Sequence, residues 1–303
     1  SHITAIVTVA DDGGSSGVLR RELGVLPPGD IRNCLAALST EEPLLTRLFQ
    51  YRFAAGSGLE GHSFGNLFLS ALSAITGNLE TAITASSRVL AVQGQVVPAT
   101  NVDVQLWAEL ENGQRIEGES NIGHAPSPIV RLGCSPERPP ALPRALEAIA
   151  NADLIVLGPG SLYTSLLPNL LVPELVSAIK RSKAPRLYIC NLMTQPGETD
   201  GLDVRGHIRA IEAQLASLGI EPKLFNAVLA QDDLPDSDLV RYYQTRGAHP
   251  VHCDAEGLRS DGYDVTQAPL QGVRPTATLR HDSRSLALAV MRFYRSHRSQ
   301  NAA

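Results

Sequence analysis

The most constraining feature of this sequence is a repeated switch between short β-branched apolar runs and longer stretches with helical spacing. Ile3 to Val9, Leu154 to Leu157, Arg186 to Cys190 and Leu224 to Leu229 read as strands. Between and around them, Asp30 to Leu38, His62 to Ile75, Pro168 to Arg181 and Val204 to Leu218 read as helices. Asn78 offers an N-cap to a further helix reaching about Val92. Near-continuous apolar strands alternating with helices predict a mostly parallel sheet covered by helices on both faces. One stretch departs from this alternation. Val102 to Leu110 and Gln114 to Ser120 flank Asn112-Gly113, a pair that favours a tight hairpin turn, so 102–120 is predicted to be a β-hairpin excursion. The proline-rich run from Pro126 to Pro143 reads as a long connection. Ser283 to His297 reads as a basic amphipathic final helix packed on the surface.

Composition narrows the function classes. The chain has 303 residues, 43% hydrophobic and 19% charged, with 26 basic and 31 acidic side chains for a net charge of −5. That balance fits one large α/β domain over 1–303 and excludes a wholly disordered chain. It gives no broad electrostatic footprint for nucleic acid. No apolar run approaches a membrane span. The four cysteines (Cys34, Cys134, Cys190, Cys253) show no paired spacing, and the absence of a secretory leader points to the cytoplasm. The chain opens Ser1-His2 with a strand almost at once, so the expectation is that something upstream was removed, replaced by a tag scar or left out.

In parallel sheets, ligands bind beyond the carboxyl ends of the strands, so the loops that follow the strands carry the functional expectation. After the first strand come Asp11, Asp12, Gly13 and Gly14, then Ser15-Ser16-Gly17. The glycines and serines can present N–H and hydroxyl groups to an anion, while the carboxylates suit Mg²⁺ or a ribose; a plain Asp-Gly turn would look the same. After Leu157, Gly158-Pro159-Gly160-Ser161 and Thr164 lead into a helix, a phosphate-cradle arrangement. It departs from the dinucleotide fingerprint at Tyr163, and no Walker lysine follows. After Cys190, Asn191, Thr194 and Gln195 offer amide and hydroxyl groups suited to a base, ribose or sugar. Gly61-His62-Ser63-Phe64-Gly65 fits the nucleophile-elbow pattern, with Asp254 and His281 following in triad order. The residues before it, Ala54 to Glu60, cannot be a buried central strand, so Ser63 or His62 reads instead as a helix cap with Asn66 open to a ligand.

Five runs together resemble the bacterial gluconeogenesis factor family: Val7 to Gly17, Leu26 to Leu35, Gly61 to Asn66, Gly158 to Ser165 and Met193 to Thr199. Tyr243 to Val251 and Arg280-His281-Asp282 match two later family patterns. The family is more distantly similar to CofD, a transferase that moves a phospholactyl group from a nucleotide donor with Mg²⁺. The resemblance implies a Rossmann-like fold and a site for UDP-sugars, notably UDP-N-acetylglucosamine. It further implies a regulator, rather than an enzyme, that supports cell-wall precursor synthesis and cell shape on gluconeogenic carbon sources. Its implied partners are the nucleotide sugar, a second copy of the chain and an enzyme of amino-sugar synthesis, with no nucleic acid or membrane. It implies that Tyr243 and Arg280 help hold the UDP-sugar; Asn33 and Asn66, within the shared runs, are further candidate polar-site residues. The family's usual first strand, ending in a Gly-Gly-x-Gly loop, is missing from this chain. The alternative the resemblance leaves open is a CofD-like transferase, in which Asp11 and Asp12 would hold Mg²⁺.

Overall fold

A computed structural model of the chain describes residues 2–39, 43–232, 237–273 and 279–301. Eleven strands lie among these residues: β1 (Thr4–Val7), β2 (Gln95–Pro98), β3 (Gln105–Leu110), β4 (Arg115–Glu117), β5 (Ile129–Ser135), β6 (Ile155–Leu157), β7 (Arg186–Ile189), β8 (Ala227–Gln231), β9 (Asp264–Ala268), β10 (Gln271–Val273) and β11 (Leu279–His281). β6, β7, β8 and β9 form a parallel sheet in that order. β1 and β2 form a second parallel pair. The chain is therefore α/β with parallel sheets, as the alternation of runs implies. Among the described residues no ladder joins β1 to β6, so the parallel strands are divided between two sheets.

Side-chain alternation along the strands explains why helices cover both faces. Tyr188, Cys190, Val228 and Ala230 point into a cluster with Val176 and Ile208, from the crossover helices Pro173–Arg181 and Val204–Ser217. Leu187, Ile189, Ala227 and Leu229 point the other way, onto Ala289 and Phe293 of the last helix, Ser283–Asn301. On the β1–β2 pair, Val7, Val9 and Val96 meet Ile31, Phe49, Leu69 and Ile83 of four N-terminal helices. Val97 and Ala99 turn to the larger cluster.

Local chemistry sets several element ends. Asn78 Oδ1 accepts the Thr81 N–H at 2.8 Å and starts the helix Leu79–Val89. Gly113, at φ +81°, turns the β3–β4 hairpin, with Asn112 Oδ1 accepting the Gln114 N–H at 2.9 Å.

Three expectations need correction. The proline-rich connection contains β5, which pairs with β3 over most of its length and makes the excursion a three-stranded sheet. The single helix expected from Pro168 to Arg181 is broken. A π-turn at Leu162–Leu166 runs into Leu167–Leu170, and a new helix starts at Pro173, whose missing N–H suits a first helical position. β8 begins at Ala227, where its ladder with β7 starts, rather than at Leu224; Leu224 and Phe225 are buried ahead of it. No single helix among the described residues is long and apolar enough to cross a membrane.

Candidate functional site

The loop after β1 runs directly into the helix Gly14–Leu23, which has no acidic residue in its first turn. Its N-terminus faces a cleft of about 230 Å³ that collects Asp11, Gly13, Gly14, Asn33 and Asn66. The cleft also contains Arg32 and Arg52, which the strand-end reasoning passed over. Arg32 lies within the Leu26-to-Leu35 run, whereas nothing near Arg52 in sequence marks it. Gly29 is what lets the two walls close. A Cβ there would sit 2.2 Å from Asp11 Oδ2 and 2.6 Å from Ser16 Oγ.

Hydrogen bonds fix the cleft wall. Arg32 donates to Ser63 Oγ at 2.7 Å and to Asn33 Oδ1 at 2.8 Å. Ser15 Oγ meets His62 Nδ1 at 3.0 Å, and Asn66 Nδ2 donates to Ser16 Oγ at 3.2 Å. Ser63 occupies the N-cap position of the helix Phe64–Thr76 but makes no side-chain cap bond; its hydroxyl belongs to Arg32. Asn66 is 2% exposed, and its Oδ1 is buried without a partner, as is Arg32 Nε. Burial first, and then the nearby Arg52 charge, lower the Arg32 pKa.

Asp12 faces away from the cleft. Its two oxygens accept the Glu119 and Ser120 N–H groups, each at 2.9 Å, and so hold the short helix Glu119–Ile122 from the excursion. Glu119 thereby joins a group of carboxyls. Burial, followed by the charges of Asp11, Asp30, Asp12 and Glu198, pushes its pKa up to about 7. Asp30 is raised to about 6 by burial and by Asp11, with Arg32 opposing.

The loops after β6 and β7 interlock. Gly160 N–H donates to Asn191 Oδ1 at 3.3 Å, and Asn191 Nδ2 returns to the Gly160 carbonyl at 3.0 Å. Gln195 Nε2 donates to Ser161 Oγ at 2.8 Å. Gly158, at φ +82°, brings this loop close to β7, where a Cβ would lie 2.6 Å from the Ile189 carbonyl oxygen. Glu198 accepts the Tyr163 N–H and the Thr164 hydroxyl, both at 3.1 Å, so a protein carboxylate already caps the turn that the sequence offers to phosphate. Thr164 and Thr194 are buried, and Thr194 is tied to His249 through its backbone N–H and its hydroxyl. Tyr243 packs with Leu192, Met193 and Leu279, and its hydroxyl accepts the Leu279 N–H at 3.3 Å. Arg280 follows on β11 with an exposed side chain.

A Mg²⁺ ion held by Asp11 and Asp12, as the likeness to CofD implies, does not fit this donor set. Both Asp12 oxygens serve the Glu119 helix, and Asp11 Oδ1 accepts the Gly13 N–H at 2.9 Å. Among the described residues, no three His, Cys, Asp or Glu side chains are placed to hold a metal ion. The triad order fails too. Asp254 caps its own helix through the Gly257 N–H and pairs with Arg205, while Ser63 is fully buried beside Arg32.

The sequence matches the family model of CofD, 2-phospho-L-lactate transferase, over residues 1–271. It is 47% identical over 285 residues to the gluconeogenesis factor of Bacillus subtilis, covering 94% of this chain and 88% of that protein. The chain belongs to the gluconeogenesis factor family, within the CofD-like proteins. A putative gluconeogenesis factor from Nostoc sp. is 58% identical over 294 residues, 97% of this chain but only 64% of the Nostoc protein. The chain thus spans just under two thirds of that relative's length. The crystal structure of protein BH3568 from Bacillus halodurans superimposes with a TM-score of 0.90 at 45% identity, covering 96% of this chain and 91% of that one. A second crystal structure of the same Bacillus halodurans protein, described there as a member of the UPF0052 family, gives 0.88 at 46% identity, covering 95% and 91%.

Proposed function

We propose that this chain binds a UDP-sugar, UDP-N-acetylglucosamine first among them, at the carboxyl ends of β6 and β7. In this reading it acts as a cytoplasmic regulator that supports cell-wall precursor synthesis and cell shape on gluconeogenic carbon sources. One observation carries the reading. The loops bearing Gly158, Gly160, Ser161, Asn191 and Gln195 share a single hydrogen-bond network. Leu192 and Met193, in the second of these loops, belong to the same apolar cluster as Tyr243, and the exposed Arg280 follows Leu279 of that cluster. A polar floor, an aromatic ring and an exposed guanidinium are what a base, a ribose and a diphosphate require. Glu119, held in place by Asp12, feels the charges of Asp11, Asp12 and Glu198. The partners that follow are the nucleotide sugar, an enzyme of amino-sugar synthesis and a second copy of the chain.

Isothermal titration with UDP-N-acetylglucosamine, with and without Mg²⁺, tests the reading. Saturable binding, weakened roughly tenfold or more by Arg280→Ala and indifferent to Mg²⁺, is the expected result. Folded wild type that gives no heat with any UDP-sugar would sink it. A second reading, a transferase like the protein that gives the CofD family its description, draws on the family match and on the carboxyls around Asp11. Release of nucleotide from a candidate donor would favour that reading.

A further inference from the structure

The last helix, Ser283–Asn301, has two unlike faces. Ala289 and Phe293 share a buried cluster with Leu187 and Leu229 of the sheet, and Leu286 and Val290 pack beside them. The other face is basic. The helix carries four arginines, Arg284, Arg292, Arg295 and Arg298, and no Asp or Glu, in a chain whose net charge is −5. All four arginines are exposed. At about 3.6 residues per turn they fall within an arc of about 120° on the side away from Phe293, and Arg284 and Arg298 stand about 21 Å apart along the axis. Among the described residues, Arg284, Arg292 and Arg298 make no ion pair. Asp282, whose Oδ1 accepts the Ser285 N–H at 2.8 Å, and Asp264, 3.6 Å from His297 Nε2, lie at the two ends of the helix and off this arc.

Two apolar side chains sit inside the basic arc. Leu288 is 51% exposed and Met291 is half-buried, and helical spacing puts both between the arginines. That mixture selects the partner. Guanidinium groups bind phosphates in paired hydrogen bonds, and an anionic bilayer presents phosphates over a flat area at headgroup level. There Leu288 and Met291 enter the boundary with the acyl chains while the arginines stay among the headgroups. A nucleic acid would leave both apolar side chains without a role. Nor does the helix offer it an exposed ring to stack on, since Phe293 is buried and Tyr294 half-buried. We propose that this face is a peripheral docking surface for an anionic lipid bilayer. The rest of the chain, more acidic than the whole, is repelled by the same bilayer, which selects the orientation with the last helix against it. The likeness to gluconeogenesis factors implies no membrane, and no single described helix is long and apolar enough to cross one; the contact is interfacial and rests on this chain's own last helix.

The test is co-sedimentation of the full chain with vesicles of phosphatidylcholine alone and of phosphatidylcholine with about 30% phosphatidylglycerol, at about 0.05 M and about 0.5 M salt. The expected result is binding to the anionic vesicles at low salt, roughly tenfold or more tighter than to the neutral ones, and its loss at high salt. The double variant Arg292→Glu/Arg298→Glu should weaken it roughly tenfold or more while its circular dichroism and melting temperature match the wild type. Leu288→Ser should weaken vesicle binding as well, with the arginines intact. No binding to anionic vesicles at low salt would overturn the proposal. So would equal binding to the neutral vesicles, or equal binding by the double variant. An unchanged Leu288→Ser would overturn the insertion of the apolar centre. Polyuridylate or polyglutamate binding to this face as tightly as the vesicles do, and lost in the double variant, would overturn the assignment to a bilayer in favour of a nucleic acid or an acidic protein. No nucleotide sugar enters any arm, so the outcome is independent of the UDP-sugar reading.

Discussion

Asp12 holds Glu119 across 107 positions of sequence: one carboxylate oxygen accepts the Glu119 N–H at 2.9 Å, and the other accepts that of Ser120. The contact fastens the excursion helix Glu119–Ile122 over the loop after β1 and gives the carboxyl group its shape. Asp12→Ala removes the cap and is expected to cost about 1–2 kcal/mol. In a chain of this size that lowers the melting temperature by about 2–6 °C. Asp12→Asn, which keeps one acceptor, should lose about half as much. Calorimetry on both variants checks this, and an unchanged transition in Asp12→Ala would remove the role given to the contact.

The carboxyls of Asp30 and Glu119 have pKa values raised to about 6 and about 7, from 3.8 and 4.5. The folded state therefore binds their protons more tightly than the unfolded state does. Stability contributed by these groups falls as pH rises, from no penalty below the unfolded values to the full penalty above the folded ones. Asp30→Asn should accordingly stabilise the protein by about 1–2 kcal/mol near pH 8 and by almost nothing near pH 4. Urea denaturation at both pH values decides it; an equal gain at the two would show that burial of the charge is not the cause.

Gln214 is 3% exposed on the helix Val204–Ser217 and completes the backbone of β5. Its Oε1 accepts the Leu132 N–H and its Nε2 donates to the Leu132 carbonyl, both at 2.8 Å. Gln214→Leu keeps the volume but leaves both backbone groups buried and unpaired, which should cost roughly 2–4 kcal/mol. A denaturation midpoint equal to that of wild type would contradict the pairing.

What could be read from sequence was what short-range chemistry decides. The Asn78 cap, the Asn112-Gly113 turn and the glycine-bearing strand ends depend on a few adjacent residues, and they occur where the sequence places them. β5 escaped because proline clusters flank it and its ladder partner β3 lies on the far side of the hairpin. Arg52, Glu119 and Glu198 escaped for the same kind of reason. Glu198 reaches Tyr163 across 35 positions, and Glu119 owes its environment to Asp12, so neither is marked by its own neighbours. The candidate loops were legible as a set. Which of their side chains are already satisfied by the protein, as with Thr164 on Glu198, was not.

Ser63 offers a test that separates motif from geometry. Its place in a nucleophile-elbow pattern predicts a reactive hydroxyl, but the side chain is fully buried and receives the Arg32 guanidinium at 2.7 Å. A hydroxyl that accepts from a cation, with no imidazole to take its proton, is not activated as a nucleophile. His62, the nearest histidine in sequence, uses its Nδ1 on Ser15 instead. A fluorophosphonate probe should leave Ser63 unlabelled. Ser63→Ala should instead act on stability, costing about 1–3 kcal/mol through the Arg32 hydrogen bond it removes. Stoichiometric labelling at Ser63, abolished in Ser63→Ala, would show that the elbow opens in solution and would restore the hydrolase reading.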